Sequence, residues 1–201
     1  MASLFQRAIF ALKKLPGVGE RMAERIVFRL AEMSENDVLE IADALCEFRK
    51  KIRKCEICGV ISEQSPCRIC SSSKRQRDLI CVVEKPQDAL VIEKGHFYKG
   101  LYHVLGGLLS PLKNISEENL RISELSGRTE TGAVKEIIIA LDQTVEGDAT
   151  ASLLYKMLVR PGIIISRLAG GMPSGIGIDS LDERTLKNSL QNRISPAIRE
   201  T

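Results

Sequence analysis

The amino-acid sequence predicts a mixed α/β protein with a helical N-terminal part, a short four-cysteine segment, a parallel-sheet domain and a C-terminal helical segment. Three observations lead to this prediction. Apolar residues recur at helical spacing up to residue 52, four of the six cysteines fall within sixteen residues, and strand-length apolar runs alternate with helical patterns after residue 78. The predicted boundaries of the four parts are 1–54, 55–77, 78–168 and 169–201.

Composition places the chain among ordinary globular proteins. It has 201 residues, of which 44% are hydrophobic and 27% charged. The sequence has no run of about 18 apolar residues and no signal-peptide pattern at its start. We therefore expect a cytoplasmic protein that makes no membrane contact. Cys46 and Cys81 lie in apolar contexts and are expected to be buried thiols, which suits a reducing compartment.

Charge is distributed unevenly along the chain. Residues 1–77 contain 15 Lys and Arg against 10 Asp and Glu, a net of +5, whereas residues 78–201 contain 14 against 16, a net of −2. A basic N-terminal part is typical of proteins that bind nucleic acid.

The N-terminal part begins with two predicted helices, over residues 3–14 and 20–30, separated by Leu-Pro-Gly-Val-Gly at 15–19. This pattern predicts a helix-hairpin-helix. Gly17 and Gly19 would let the backbone approach a phosphate, and the N–H groups that open the second helix would point at it. Arg21 and Arg25, one turn apart, would extend the contact along DNA. The alternative is an ordinary helical hairpin whose arginines form a solvated face.

A third helix is predicted from a capping-box-like sequence at residues 34–37 to residue 52, and we expect it to provide the remaining core of this part. Residues 71–77 are polar and are expected to form a linker to the next domain.

The four-cysteine segment consists of two C-x-x-C pairs, Cys55 with Cys58 and Cys67 with Cys70. Each pair can direct both sulfurs at one point, which is typical of a four-thiolate zinc site. The alternatives are an iron–sulfur cluster or two redox-active C-x-x-C motifs. With four protein ligands the zinc would have no open position, so we expect a structural metal that holds a segment too short to form its own core.

The parallel-sheet domain is predicted from four apolar runs, at 79–83, 101–105, 136–141 and 163–168, with helices at 87–94 and 146–158 and a last helix at 182–190. Ligands bind beyond the carboxyl ends of such strands. Four acids fall there: Glu84, Asp142, Glu146 and Asp148. Converging carboxylates could hold Mg²⁺ and assist phosphoryl chemistry. His103, inside the second strand, is expected to be a core residue.

Several of these motifs together resemble a known family. The acid after the first strand and D-x-x-x-E-G-D at 142–148 resemble the Toprim domain of topoisomerases, primases and some nucleases. The hairpin, the cysteine pairs and three further stretches make the chain similar to the bacterial RecR family of recombination mediators along almost its whole length. These stretches are G-L-Y-H-V-L-G-G-L-L-S-P at 100–111, T-V-E-G-D-A-T at 144–150 and R-L-A-G-G-M-P-S-G at 167–175.

The resemblance implies a protein that is not an enzyme. RecR proteins act with RecO, and in some pathways RecF, to help RecA assemble on single-stranded or gapped DNA coated by SSB. They form homodimers or ring-like homotetramers, and their Toprim surface engages RecO. The DNA-contacting positions match Arg21 and Arg25, the zinc ligands match the four paired cysteines, and the Toprim acids match the four strand-end acids.

This sequence departs from related patterns at two positions. Asp142 adds an acid where many relatives have N-P-T-V-E-G, which favours weak Mg²⁺ binding. Thr144 replaces the second aspartate of the enzymatic Toprim pattern D-x-D-x-E-G-D, which argues against catalysis. The glycine-rich stretch 170–177 lacks the Gly-Lys-Ser/Thr ending of a phosphate loop, so ATP is not expected as a cofactor.

Two other functional classes fit parts of the sequence. A small Toprim nuclease would need little beyond carboxylates and metal ions. A zinc-stabilised module could use the acids to attract a basic protein, with DNA incidental to its function. A topoisomerase is disfavoured because all three tyrosines lie within the predicted sheet domain.

Overall fold

The computed structural model describes residues 3–169, 171, 172 and 175–192. The chain divides into two compact units, residues 1–52 and 53–201. Parts of the glycine-rich stretch at 170–177, and the end of the C-terminal segment from residue 193, lie outside the described residues.

The first unit contains three helices, α1 (Leu4–Leu12), α2 (Glu20–Glu32) and α3 (Glu35–Lys51). Ser3 and Ser34 cap α1 and α3 through their hydroxyl groups. Ile9 of α1 is buried with Ala23 and Val27 of α2, so the two helices pack as a hairpin. The predicted helices are therefore confirmed.

Helix α3 differs from the expectation in one respect, because none of its residues is buried. The prediction that it provides the remaining core of the N-terminal part is wrong, and Cys46 is exposed instead of buried. The physical reason is that α1 and α2 pack their apolar faces against each other, which leaves most apolar residues of α3 exposed and Val38 only half-buried.

The second unit opens with the four-cysteine segment. Strands β1 (Arg53–Lys54) and β2 (Ile61–Ser62) pair antiparallel, and the short helix α4 (Arg68–Ser71) follows them. Residues 71–77, expected to form a linker, are partly held by the sheet domain. Arg75 donates to the carbonyl oxygens of Tyr98 and Gly100, each at 3.3 Å, and the next strand already begins at Gln76.

A four-stranded parallel sheet and its helices form the rest of the unit. Its neighbouring strands are, in order, β4 (Gly100–Val104), β3 (Gln76–Val83), β5 (Glu136–Ala140) and β6 (Ile164–Arg167). The four predicted strands are confirmed. The 3₁₀ turns lie at 111–113, 117–119 and 178–180. The elements are β3 (Gln76–Val83), α5 (Pro86–Lys94), β4 (Gly100–Val104), α6 (Ile122–Thr129), β5 (Glu136–Ala140), α7 (Val145–Leu158), β6 (Ile164–Arg167) and α8 (Glu183–Gln191).

Successive side chains of β3 enter two different cores, as expected of a strand covered on both faces. Ile80 and Val82 pack in a cluster with residues of α6 and α7. Cys81 and Val83 pack in the second cluster, which also contains Tyr102 and all four paired cysteines. The four-cysteine segment therefore shares a hydrophobic core with the sheet.

Across the part of the chain that the structure describes, none of the helices has the length and apolarity needed to span a membrane.

Candidate functional site

The first cysteine pair is shaped by a tight turn at the end of β1. The Cys55 amide donates to the Val60 carbonyl oxygen, and the Gly59 amide donates to the Cys55 carbonyl oxygen, both at 2.8 Å. Gly59 has φ +76°, a left-handed conformation that glycine adopts without strain. The turn brings Cys58 back beside Cys55.

The second pair opens α4. Cys67 is the N-cap residue, and its sulfur accepts a hydrogen bond from the Cys70 amide at 3.5 Å. The Cys67 amide in turn donates to the Cys55 sulfur at 3.3 Å. Backbone amides thus orient the sulfurs of both pairs toward one centre.

All four cysteines are buried, and their sulfur atoms lie within 4.8 Å of one another. The sulfurs of Cys58 and Cys67 are 3.6 Å apart. A tetrahedral zinc with Zn–S bonds of about 2.3 Å places its sulfurs about 3.8 Å apart. The donor set and its spacing therefore fit a structural zinc, which the four cysteines would hold with no position left for water.

Thiol ionisation explains why this group needs a cation. The Cys58 thiol stabilises a thiolate at Cys67 by hydrogen bonding and lowers its pKa. The same interaction raises the pKa of Cys58 to about 12, and hydrogen bonding to Cys58 raises that of Cys70. Without metal, a thiolate at Cys67 therefore disfavours ionisation of Cys58 and Cys70. Zinc binding would allow the remaining thiols to ionise and would release their protons.

The sheet holds the first cysteine pair through two further hydrogen bonds. The Val104 amide, at the end of β4, donates to the Cys58 carbonyl oxygen at 2.8 Å. The Arg121 guanidinium donates to the Glu56 carbonyl oxygen at 2.6 Å. Sequence analysis missed Arg121, because no motif marks a residue 65 positions from its partner.

His103 and Arg128 form a second polar group beside this centre. The His103 ring is fully buried, and its Nε2 lies 2.7 Å from the Arg121 carbonyl oxygen, so this nitrogen donates. Its Nδ1 lies 3.2 Å from Nη1 of Arg128 and accepts. Burial lowers the pKa of His103 to about 4, which keeps the ring neutral. The expectation of a core histidine is confirmed, whereas Arg128 was not identified from the sequence.

The hairpin between α1 and α2 has the predicted open backbone. Gly17 has φ +79°, and a Cβ added at Gly17 or Gly19 would meet nothing within 4 Å. Gly19 is the N-cap residue of α2, and no side chain caps that helix. Arg21 and Arg25 are both exposed. An anionic ligand could therefore approach the first N–H groups of α2.

The four strand-end acids, here called the acidic rim, are not held as one cluster. In the described residues, the four paired cysteines are the only group of three or more candidate ligands within 4.8 Å of one another. Glu84 contacts Lys85 at 2.9 Å and raises its pKa, with smaller contributions from Asp88 and then Asp142. Of the acidic rim, Glu84 is therefore the residue that is paired with Lys85.

Asp148 is bound by two arginines. Its carboxylate lies 2.7 Å from Arg167 at the end of β6 and 2.7 Å from Arg184 of α8. These three residues line a cavity of about 680 Å³ together with Lys187 and other polar side chains. Of the acids expected to converge, Asp148 is therefore directed toward the C-terminal helix.

The run Thr-Val-Glu-Gly-Asp-Ala-Thr at 144–150 has a structural explanation in this fold. Thr144 caps α7 by accepting from the Gly147 amide at 3.1 Å. A Cβ at Gly147 would lie 1.9 Å from the Asp142 carbonyl oxygen. The Thr150 hydroxyl donates to the Glu146 carbonyl oxygen at 2.6 Å and accepts from the Leu109 amide at 2.9 Å. These residues fix the backbone that carries the acidic rim.

Comparison with protein families gives three matches in chain order. A family model described as "RecR, helix-hairpin-helix" matches residues 5–48, and one described as the RecR zinc finger domain with four cysteines matches residues 52–72. A Toprim domain model matches residues 78–169.

Three curated relatives illustrate the similarity, and each is named Recombination protein RecR. The protein of Bifidobacterium longum subsp. infantis is 44% identical over 188 residues, which cover 94% of either chain. That of Leifsonia xyli subsp. xyli is 42% identical over 96% of this chain and 97% of its own length. That of Pelotomaculum thermopropionicum is 42% identical over 93% and 94%.

Proposed function

Because this chain belongs to the RecR family of recombination proteins, we propose that it is a DNA-binding mediator of recombination repair and not an enzyme. In this proposal it acts in the cytoplasm with RecO, and with RecF in some pathways, to promote RecA loading on single-stranded or gapped DNA coated by SSB. The observation that carries the proposal is the open hairpin, with Gly17 in a left-handed turn and Arg21 and Arg25 exposed on α2.

The hairpin suits contact with the DNA backbone and not with particular bases. Uncapped N–H groups and a helix dipole attract phosphate, and the two arginines add charge along the same direction. The first turn of α2 also carries Glu20, which forms an ion pair with Lys13. That pairing neutralises the acid beside the phosphate position.

The test changes Arg21 and Arg25 to Ala and measures affinity for single-stranded and gapped DNA over a range of salt concentrations. Loss of two phosphate contacts should lower affinity more than tenfold near physiological salt. It should also reduce the slope of log K against log salt by about 1.4 on single-stranded DNA. Unchanged affinity and slope would overturn the hairpin as the DNA-binding site.

A matched control changes Lys113 and Lys135 to Ala. Both lysines are exposed and belong to the second unit, and their loss removes the same two positive charges. DNA affinity should stay within about twofold of the parent protein. An equal loss in both variants would mean that only net charge matters.

We propose that the four cysteines bind a structural zinc, supported by their burial, their spacing and the family match. We propose that the acidic rim is a docking surface for RecO. Any Mg²⁺ would bind there weakly, through Glu84 and Asp142. Asp148 is already paired with Arg167 and Arg184, which disfavours a metal site that uses all four acids.

The nuclease alternative predicts a different outcome with Mg²⁺. Incubation of the zinc-loaded protein with supercoiled, gapped and single-stranded DNA should give complexes without cleavage or relaxation. Mg²⁺-dependent scission that is lost in Glu84→Ala or Asp142→Ala would replace the mediator proposal with a catalytic one. Retained DNA binding with loss of RecO-dependent RecA loading in Glu146→Gln would support the docking role.

Homo-oligomerisation, as a dimer or a tetrameric ring, is also part of the proposal. It is supported by the apolar residues of α3 that remain exposed in the single chain, including Ile41, Leu45 and Phe48. These three residues fall on one face of the helix. A face of this kind is suited to burial against a second copy of the chain.

A further inference from the structure

Arg128 lies in the second unit and forms no ion pair with a carboxylate in the part of the chain that the structure describes. It is partly buried on α6, where Nη1 donates to the Tyr102 carbonyl oxygen at 2.7 Å and contacts the neutral His103 ring. Among the described residues, no acidic group lies within 4.0 Å of its guanidinium. Partial burial of a cation without a counter-ion is unfavourable, because its lost hydration is not replaced by an opposite charge.

The four-cysteine centre is the neighbouring source of negative charge. Arg128 and Cys70 line the same small cavity, of about 200 Å³. Burial lowers the pKa of Arg128, and negative charge on the sulfurs of Cys70, Cys58 and Cys55, which zinc binding would create, would act against that shift. The shared cavity places the charge of Arg128 beside Cys70, a member of the second cysteine pair.

Zinc binding would give this centre a substantial charge. One Zn²⁺ with four thiolates carries a net charge of −2, enclosed by buried residues. The other basic residues in or near the segment are less suited to offset it, and Arg53, Lys54 and Arg68 of the segment itself are all exposed to water. Arg121 is already paired with Glu124 at 3.0 Å, and Arg77 is exposed and screened by water.

We propose that Arg128 is the counter-charge of the zinc–thiolate centre and a positioning residue that couples zinc binding to the parallel sheet. This inference rests on the zinc site of the proposed function. The coupling runs through the Tyr102 carbonyl and the His103 ring, which hold Arg128 against β4. The same strand fixes the first cysteine pair through the Val104 amide.

The proposal is tested with Arg128→Gln, which removes the charge and keeps N–H donors, and with Arg128→Lys, which keeps the charge. Zinc affinity is measured by competition with a chromophoric zinc chelator. We expect Arg128→Gln to bind zinc about 10- to 100-fold more weakly, as is usual when an outer partner of a metal site is lost. Arg128→Lys should stay within about threefold of the parent protein.

Arg160→Gln is the matched control. Arg160 follows α7 and donates a hydrogen bond at 3.3 Å to Ser126 of α6, the helix that carries Arg128. It also lies 3.7 Å from the Glu130 carboxylate, so it has an acidic partner of its own. Its substitution should leave zinc affinity unchanged. A loss equal to that of Arg128→Gln would mean that the effect arises from net charge.

Thermal stability with and without zinc separates this role from ordinary hydrogen bonding. A counter-charge predicts that Arg128→Gln lowers the Tm of the zinc-loaded protein more than that of the apo protein. If Arg128 were only a structural hydrogen-bond donor, Arg128→Gln would lower the Tm of the zinc-loaded and apo proteins equally and would leave zinc affinity unchanged. That result would overturn the proposal.

If Arg128→Gln does not fold, a tenfold loss of zinc affinity in Arg128→Lys is sufficient to reject the proposal. Failure of the parent protein to bind zinc would instead reject the metal site itself.

Discussion

Gly147 lies where the chain passes close to itself beside the acidic rim. An added Cβ would lie 1.9 Å from the Asp142 carbonyl oxygen and 3.3 Å from the Thr144 hydroxyl. The carbonyl oxygen is a backbone atom, so the chain at Asp142 would have to move. The glycine of the E-G-D run is therefore explained by close approach and not by a left-handed turn.

Gly147→Ala should lower the free energy of unfolding by about 1–3 kcal/mol, the usual cost of overpacking. Gly127→Ala is the matched control. It also lies in a helix, and a Cβ there meets nothing within 4 Å. This control should be neutral or stabilise by up to about 1 kcal/mol. Denaturant unfolding of both variants checks the prediction, and equal effects would contradict it.

His103 makes stability depend on pH. Its pKa of about 4 in the folded protein is below the ordinary value of 6.5, so the unfolded chain binds the proton first. The contribution of the neutral His103 ring to the free energy of unfolding is fully present above pH 6.5 and is lost as the pH falls toward 4. At pH 5 the loss from this residue is roughly 2 kcal/mol. The charged groups that face the ring are Arg121, Arg128 and Glu124.

His103→Gln checks this prediction, because glutamine does not titrate. The free energy of unfolding of the parent and of this variant would be measured between about pH 7.5 and pH 5, across the window in which the histidine titrates. The difference between them should shrink on acidification, since only the parent loses the histidine contribution. Parallel pH profiles would show that His103 ionises equally in the folded and unfolded states.

At the scale of elements, the four-cysteine segment and the sheet are expected to lose structure together. The segment has two-residue strands and one four-residue helix, which cannot form a core alone. Its cysteines pack with Cys81, Val83 and Tyr102 of the sheet. Metal removal should therefore affect both.

Removal of zinc with a chelator should lower the Tm by roughly 10 °C or more, as structural zinc contributes directly to folding. Hydrogen exchange should rise in β1, β2 and α4, and at the Val104 amide, which bonds to Cys58. Cys55→Ser should reproduce the loss, whereas Cys46→Ser, at an exposed position outside the centre, should not. An unchanged thermal transition after chelation would contradict a structural metal.

At the scale of the whole molecule, self-association should depend on α3. Leu45→Glu with Phe48→Glu places two charges on its exposed apolar face and should yield a smaller species in sedimentation velocity. Leu112→Glu is the control, because Leu112 is 94% exposed in the other unit. An assembly of unchanged size in the α3 variant would remove this face from the proposed interface.

Local patterns were sufficient for much of the fold. The helical hairpin, the paired cysteines and the four strands each depend on neighbouring residues, through hydrophobic period, capping and turn chemistry. Helix α6 was missed, since it is short and contains Gly127. The exposure of Cys46 and α3 was missed because an apolar period does not show which surface will cover it.

The sequence by itself determined which cysteines could bind a metal ion, because the spacing within the two C-x-x-C pairs fixes the candidate ligands locally. Only the tertiary structure decided their surroundings. Arg121 contacts the Glu56 carbonyl of the first cysteine pair from a distant part of the chain, and Arg128 shares a cavity with Cys70. Asp148 is paired with Arg167 and Arg184. These contacts arise from chain packing between distant segments, which no local period or motif encodes.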